Sequence, residues 1–302
     1  MTDTTYASQV KAAKEKLGAV ILAHYYQLPE IQDIADHVGD SFALSRLAAT
    51  LHTEVIVFCG VDFMAESAKL LSPEKTVLLP VKDAGCPMAD MAGAEDVKRL
   101  QELHPEAAVV SYVNSTTAVK AHSHICCTSS NALKVIRSLP HEKIIFLPDK
   151  NLGAYAAAQI PEKEFILFDG YCPPHNETTA ANVARLRKAH PDARLLLHPE
   201  CPGEVRQEAD FIGSTAQIIA HAGESPHKEF IIGTEEGILH PLQQQNPDKT
   251  FYLLSRELSC RDMKKTTARA LLNSLQSLQN EIHVDENLAR MARKPLERML
   301  AV

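Results

Sequence analysis

The sequence lacks the features that mark membrane and secreted proteins. No apolar run reaches the roughly 20 residues that a membrane-spanning helix needs. Residues 1–16 are polar and contain no apolar stretch of the kind found in signal peptides. We therefore expect a cytoplasmic protein that makes no membrane contact. The net charge of −7 also argues against a nucleic-acid partner.

The seven cysteines include no Cys-x-x-Cys pair, so the compact zinc and thioredoxin signals are missing. Disulfides are rare in cytosolic chains of this size, so a disulfide scaffold is not expected. Linkers and low-complexity tracts are also absent, and a composition of 45% hydrophobic and 23% charged residues is ordinary for a globular protein. Any shared function of the cysteines must therefore come from positions far apart in the chain.

The chain does contain a threefold repeat. Apolar, strand-like runs begin the three units at residues 19–23, 108–111 and 194–197. The turns after these runs start at His24, Tyr112 and His198, which are 88 and 86 residues apart. Strand-like runs that alternate with helical stretches are typical of parallel α/β sheets. We predict three similar α/β domains, each a three-layer αβα unit with a parallel sheet, around a pseudo-threefold axis.

The predicted units cover residues 1–88, 89–175 and 176–302, and the last includes two C-terminal helices. Ligands of parallel α/β sheets bind outside the carboxyl ends of the strands. If three such units share an axis, equivalent strand ends surround that axis. The repeat therefore predicts one central site built in three layers.

One cysteine in each unit follows the third predicted strand. These are Cys86, Cys172 and Cys260, which are 86 and 88 residues apart. Three thiolates can hold three irons of a cubane 4Fe-4S cluster and leave the fourth iron open as a Lewis acid for substrate or water. The residues alone also allow three buried apolar cysteines or a zinc ion with three cysteines and a water. Cys59 and Cys201 lie off this period and are expected to be packing or pocket-lining residues.

The strand-end turns supply a second layer of acid–base groups. Residues two apart in a strand point the same way. The pairs that should face the axis are His24 with Tyr26, Tyr112 with Asn114, and His198 with Glu200. Histidines, tyrosines and a carboxylate are the usual groups for proton transfer.

A third layer lies at three predicted helix starts, where short polar pairs precede helical patterns. The residues are Ser41, Ser129 and Thr215, again 88 and 86 residues apart. Backbone N–H groups at a helix start bind anions such as phosphate or carboxylate. This layer lets an acidic protein bind an anionic substrate.

Several segments resemble the quinolinate synthase family, and the resemblance runs from about residue 19 to the C-terminus. The matching segments are residues 23–27, 85–89, 111–115, 128–132, 146–153, 198–201 and 233–237. The resemblance implies a transferase of NAD biosynthesis that condenses iminoaspartate with dihydroxyacetone phosphate and releases phosphate and water. It also implies a 4Fe-4S cluster on Cys86, Cys172 and Cys260, and L-aspartate oxidase as the source of iminoaspartate.

The resemblance implies roles for the pocket residues. His24, Tyr26, Tyr112, Asn114, His198 and Glu200 would line the substrate cavity, and Ser41, Ser129 and Thr215 would hold anionic groups. From the chemistry we expect Glu200 to be the base and Tyr26 and Tyr112 to be proton donors or orienting groups. His24 and His198 would position substrate oxygens.

Three other functions compete with this one. Another open-iron 4Fe-4S hydro-lyase would dehydrate its substrate without a condensation. An electron-transfer protein would need a fourth cysteine ligand near the surface. A non-enzymatic three-domain binding protein would not need a cavity rich in acid–base groups.

Overall fold

The computed structural model describes residues 3–302, with side chains from residue 6 onward. Met1 and Thr2, at the start of the first predicted unit, lie outside the described residues. The strands are β1 (Ala19–His24), β2 (His37–Gly39), β3 (Val55–Cys59), β4 (Thr76–Leu78), β5 (Ala108–Tyr112), β6 (Ile125–Cys127), β7 (Lys143–Leu147), β8 (Glu164–Leu167), β9 (Arg194–Leu197), β10 (Phe211–Ile212), β11 (Glu229–Gly233) and β12 (Thr250–Leu253).

Helices connect the strands throughout the chain. They are α1 (Asp3–Leu17), α2 (Pro29–Ile34), α3 (Ser41–Thr50), α4 (Asp62–Leu71), α5 (Ala94–Leu103), α6 (Thr117–Ala121), α7 (Ala132–Ser138), α8 (Lys150–Gln159), α9 (Pro173–Asn176), α10 (Ala180–Ala189), α11 (Gly203–Arg206), α12 (Thr215–Glu224), α13 (Leu239–Gln245), α14 (Ala268–Ser277) and α15 (Glu286–Ala301). Short 3₁₀ turns lie at Ala89–Met91, Glu236–Ile238 and Met263–Lys265.

The strands form three four-stranded sheets with one topology. Their orders are β2-β1-β3-β4, β6-β5-β7-β8 and β10-β9-β11-β12. All pairings within the sheets are parallel. The predicted α/β class with three parallel-sheet units is confirmed.

The central strands are apolar because helices cover both faces of each sheet. Every residue of β5 is buried, and β1, β7 and β9 are buried along most of their length. Buried strands of this kind keep their ends in fixed positions. They therefore provide rigid supports for the polar residues that follow them.

The helices that start beside the strand ends are capped by polar side chains. Asp40 caps α3 by accepting the Ala43 N–H (2.9 Å), and Ser214 caps α12. In the second unit α7 begins only at Ala132, three residues after Ser129. Neighbouring residues therefore do the capping in the first and third units, so Ser41 and Thr215 do not act as caps.

The two predicted C-terminal helices are present and contact the first and second units. Leu271 and Leu275 of α14 share an apolar cluster with Val10 of α1 and Ile21 of β1. Helix α15 packs against α4, α6 and β6. The domain boundaries at residues 88 and 175 stay a prediction. Within residues 3–302, no helix has the length and apolarity needed to cross a membrane.

Candidate active site

A central cavity lies at the carboxyl ends of the strands and is lined by residues from all three units. The free volume inside the cavity is about 70 Å³. All twelve site residues predicted from the repeat line it, namely His24, Tyr26, Ser41, Cys86, Tyr112, Asn114, Ser129, Cys172, His198, Glu200, Thr215 and Cys260. An apolar wall of Val61, Phe63 and Met64 completes one side.

The three periodic cysteines are free thiols at one end of this cavity, and each is partly buried. Burial raises the pKa of all three thiols, and in the case of Cys260 it reaches about 11. The nearby Cys86 and Cys260 thiols raise the pKa of Cys172 further. A bound metal centre would reverse this balance, because coordination removes the proton from a thiol.

Each cysteine sulfur also accepts a backbone N–H three residues further along the chain. The donors are Ala89, His175 and Met263. Each donor acts to lower the pKa of its cysteine, against the larger effect of burial. The three loops are therefore built alike, and each orients its sulfur with a local backbone contact.

The ligand atoms of the cavity include one close group that could hold a metal ion. Within the described residues, one set of His, Cys, Asp or Glu side chains places three ligand atoms within 4.8 Å of one another. This set is Cys172, His175 and Glu200. The three cysteine sulfurs are therefore more widely spaced as a set. A tetrahedral zinc with Zn–S bonds of about 2.3 Å would place its sulfurs about 3.8 Å apart. As a set, the sulfurs lie farther apart than one zinc ion would place them.

Two buried carboxylates support the loops of Cys172 and Cys260. Asp149 Oδ2 accepts the N–H of Cys172 (3.0 Å), while its Oδ1 accepts the N–H of Leu152 at the start of α8. Glu235 Oε1 accepts the N–H of Cys260 (2.9 Å), and it also contacts Lys264 Nζ (2.9 Å). These carboxylates fix the backbone of two predicted ligands.

Tyr26 crosses from the first unit to the third. Its hydroxyl lies 2.9 Å from Thr215 Oγ1 and 2.8 Å from Thr234 Oγ1. His24 contacts the Tyr26 ring edge-on, with ring centroids 4.4 Å apart, and its Nδ1 accepts the Tyr26 N–H. The first predicted pair therefore forms one connected group.

Glu200 is almost fully buried and surrounded by hydrogen-bond donors. Its Oε2 lies 2.9 Å from His175 Nδ1, and Tyr112 donates a hydrogen bond to the same carboxylate. His175 stacks on His198, with ring centroids 4.8 Å apart. His198 Nε2 is in turn 3.2 Å from Ser129 Oγ. Residues from the second and third units thus meet around one carboxylate.

Burial sets the protonation states of these groups. It lowers the pKa of His24 to about 3 and that of His198 to about 3. Burial alone would raise the pKa of Glu200. The nearby His198 and His175 lower that pKa below its ordinary value, and hydrogen bonds from His175 and Tyr112 act in the same direction. Burial raises the pKa of Tyr26 and Tyr112 well above the usual value. At neutral pH the cavity therefore combines proton acceptors with protonated phenols.

The third predicted layer also faces the cavity. Ser41, Ser129 and Thr215 all line the cavity, and Ser130 Oγ donates to the neighbouring Asp40. Asn114 Oδ1 is buried without a hydrogen-bond partner. A ligand in the cavity would supply the donor that this amide oxygen lacks.

Sequence reasoning did not identify His175, Thr234, Asp149 and Glu235. His175 and Thr234 connect Tyr26 to Glu200, and the two carboxylates support cysteine loops. The sequence offered two clues to these residues. His175 lies three residues after Cys172, and Thr234 and Glu235 lie in one of the segments that resemble the family.

Comparisons with known proteins agree with this architecture. Residues 8–301 match the family model described as Quinolinate synthetase A protein. The chain is 53% identical over 292 residues to the quinolinate synthase of Caldicellulosiruptor saccharolyticus, covering 97% of this chain and 96% of the relative. It is 50% identical over 297 residues to the quinolinate synthase of Clostridioides difficile, covering 98% and 97%. It is also 51% identical over 302 residues to that of Alkaliphilus metalliredigens, covering both chains completely. The chain therefore belongs to the quinolinate synthase family of enzymes.

Proposed function

We propose that the chain condenses iminoaspartate with dihydroxyacetone phosphate to quinolinate, releasing phosphate and water, as a step of NAD biosynthesis. The observation that carries this proposal is the convergence of three cysteines, a buried carboxylate and two phenols on one cavity. Family membership supports the same reaction.

The cofactor that we propose is a 4Fe-4S cluster held by Cys86, Cys172 and Cys260. The support is their placement after the third strands and their like-built loops. When bound, such a cluster would supply a Lewis acid with one iron open to substrate.

The surrounding residues would carry out the proton transfers. Glu200, ionised between Tyr112 and His175, is the proposed base. Tyr26 and Tyr112 hold protons that they can donate to substrate oxygens. The neutral rings of His24 and His198 would orient the substrate, and Asn114 would accept a hydrogen bond from it.

The phosphate and carboxylate groups of the substrates would lie at the helix starts. Ser41 and Thr215 are the first residues of α3 and α12, whose backbone N–H groups favour anions. Ser129 lies in the turn before α7 and contacts His198. Donors at these places would stabilise the departing phosphate without a basic surface patch.

We also propose that this reaction takes place in the cytoplasm, with iminoaspartate supplied by L-aspartate oxidase. Iminoaspartate is an imine that water hydrolyses, so a nearby supply would limit its loss. The partners of the site are thus small molecules.

The test is anaerobic turnover. The protein is purified without oxygen, its iron and sulfide are measured, and iminoaspartate is generated in situ with dihydroxyacetone phosphate present. Quinolinate is assayed by mass spectrometry for the wild type and for Cys172→Ala, with Cys201→Ala as a matched control because Cys201 is buried and does not line the cavity.

Product from the wild type and from Cys201→Ala, but not from Cys172→Ala, would support both the cluster and the reaction. A protein with four irons that makes no quinolinate would point instead to an open-iron hydro-lyase. A protein that takes up no iron after anaerobic reconstitution would overturn the proposed cofactor.

A further inference from the structure

The short helix that follows the first strand of each unit carries a long polar side chain at the same place. These side chains are Gln32 in α2, Lys120 in α6 and Arg206 in α11, which are 88 and 86 residues apart. Gln32 and Lys120 are buried, and Arg206 is half-buried. They do not line the cavity, and the mechanism proposed above assigns them no part.

Arg206 holds the backbone on both sides of Glu200. Its Nη1 donates to Pro199 O (2.9 Å) and to Cys201 O (2.6 Å), the carbonyls that flank this residue. The same nitrogen donates to Asn151 O (2.8 Å) in the second unit. One guanidinium nitrogen therefore fixes the turn that presents Glu200 and joins that turn to the neighbouring unit.

Gln32 makes the same three contacts around Tyr26. Its Nε2 donates to Tyr25 O and to Gln27 O, each at 2.9 Å, and these carbonyls flank Tyr26. It also donates to Gly237 O (2.9 Å) in the third unit. An amide in the first unit thus does what a guanidinium does in the third.

Lys120 completes the set in the second unit. Its Nζ donates to Ser115 O, the carbonyl of the residue directly after Asn114. The same ammonium lies 5.5 Å from the ring centroid of Phe63 in the first unit, a cation–π contact. The second unit therefore also joins its strand-end turn to a neighbour.

The residues that are reached across the unit interfaces obey the same period as the donors. They are Phe63, Asn151 and Gly237, which are 88 and 86 residues apart. The first unit reaches the third, the second reaches the first, and the third reaches the second. Each donor thus closes one interface of the ring, and the three contacts together aim three turns at one centre.

We propose that these three donors are positioning residues, which hold the strand-end turns of the second layer in place and join adjacent units. They act through Tyr26, Asn114 and Glu200 without touching the substrate, and this role rests on the proposed function of the cavity. A buried carbonyl that loses its donor is costly, so the turn would rearrange. A displacement of about 1 Å in a reacting group can lower turnover about 100-fold.

The test centres on Arg206, because this residue holds the proposed base. Arg206→Met removes the donor, whereas Arg206→Lys supplies an ammonium like that of the second unit. Arg187→Met is the matched control, because Arg187 also donates to a backbone carbonyl of the third unit, Glu208 O (2.6 Å), but outside the strand-end turn. The anaerobically prepared protein with its metal centre is used throughout, and turnover is normalised to iron content.

We expect Arg206→Met to lower kcat roughly tenfold or more with little change in KM, because a displaced Glu200 weakens the transition state more than binding. Arg206→Lys should recover most of this loss, and Arg187→Met should keep the wild-type kcat. In a Glu200→Gln background, Arg206→Met should lower kcat less than about twofold, because the two residues act as one.

Hydrogen exchange followed by mass spectrometry reports the same contacts without turnover. Arg206→Met should speed exchange at least about tenfold at residues 198–201 and 150–152, on both sides of the interface. Arg187→Met should leave both segments as they are in the wild type.

Gln32→Met is a second variant, at another interface of the ring. It should speed exchange at residues 25–27 and 236–238 in the same way. This variant decides the proposal if Arg206→Met does not fold.

Wild-type kcat or unchanged exchange in Arg206→Met would overturn the proposal. Equal losses in Arg206→Met and Arg206→Lys would also overturn it, because donation to the carbonyls would then not matter. Losses that multiply in the Glu200→Gln background would do the same, since they indicate separate effects. A wild type that makes no quinolinate, with faster exchange on both sides of the interface in Arg206→Met, would contradict only the proposed function.

Discussion

Residues at equivalent positions of the three units differ in type, and together they supply the chemical groups of the cavity. The position of His24 holds Tyr112 and His198 in the other units, and that of Tyr26 holds Asn114 and Glu200. Each side chain lines the same cavity. Glu200 is a buried carboxylate among neutral donors, and we expect its substitution to have the strongest effect on turnover.

Glu200→Gln should keep the fold and lower turnover at least about 100-fold, because an amide cannot act as the base. Turnover is measured with the quinolinate assay, and Glu204→Gln is the control because Glu204 is exposed in the following helix. Near-normal turnover in Glu200→Gln would exclude this residue as the base.

Acid should destabilise the metal-free protein through its buried histidines. The pKa of His24 falls from 6.5 to about 3 on folding, so between these values the unfolded chain binds a proton that the folded chain does not. The free energy of unfolding therefore falls as the pH falls through this window, by up to a few kcal/mol for this residue.

His24→Gln should flatten that pH dependence, whereas His52→Gln should not, because His52 is exposed. Denaturant titrations at several pH values between 3.5 and 7 would measure the slopes. Equal slopes for His24→Gln and the wild type would contradict the buried, neutral state of His24.

The cavity residues that the repeat predicted share a period, whereas His175 and Thr234, which it missed, have no polar counterpart in the other units. His175 corresponds to Ala89 and Met263, which are apolar, so no periodic polar signal marks it. Thr234 corresponds to Gly60 and Pro148. A sequence repeat identifies positions that are polar in all three units. It does not identify a contact that one unit alone makes, because such a contact depends on how the units pack together.

At the scale of elements, strand β1 is followed by a loop that docks on the third unit. Lys264 Nζ donates to Tyr26 O (2.7 Å), and Gln32 Nε2 donates to Gly237 O (2.9 Å). A Cβ on Gly237 would lie 2.6 Å from Tyr25 O and 2.8 Å from Tyr26 Cα. Only glycine therefore allows the two backbones to approach this closely.

Gly237→Ala should displace the loop that carries Tyr26 and lower turnover strongly, with a smaller loss of thermal stability. Gly203→Ala is the matched control, because its Cβ would meet nothing closer than Arg206 at 3.8 Å. Both variants are compared by turnover and by thermal unfolding. Normal turnover in Gly237→Ala would show that Tyr26 need not hold this position.

The central strands were predicted from the sequence to within about a residue, because each is a buried apolar run bounded by polar turns. The edge strands β2, β6 and β10 were missed. They have three, three and two residues, too few to show any periodicity. The helix start of the second unit was placed too early at Ser129, because Thr128 and Asn131 form a turn before α7.

At the scale of the whole molecule, the proposed cluster would join loops from all three units. Binding that requires the folded arrangement stabilises it. We therefore expect a higher Tm for the anaerobic protein with its cluster than after removal of iron by a chelator. Cys172→Ala should show no such difference, and equal Tm values for the two wild-type forms would contradict a role of the cluster in joining the units.

The three pairs at the strand ends have a consequence for how a ligand is oriented. Three identical units would offer a bound molecule three indistinguishable settings, each reached from the last by a third of a turn. Here one setting faces an imidazole and a phenol, the next a phenol and an amide, and the third an imidazole and a carboxylate. The differences between the pairs remove this rotational degeneracy, so a scaffold of three like units can tell two unlike substrates apart.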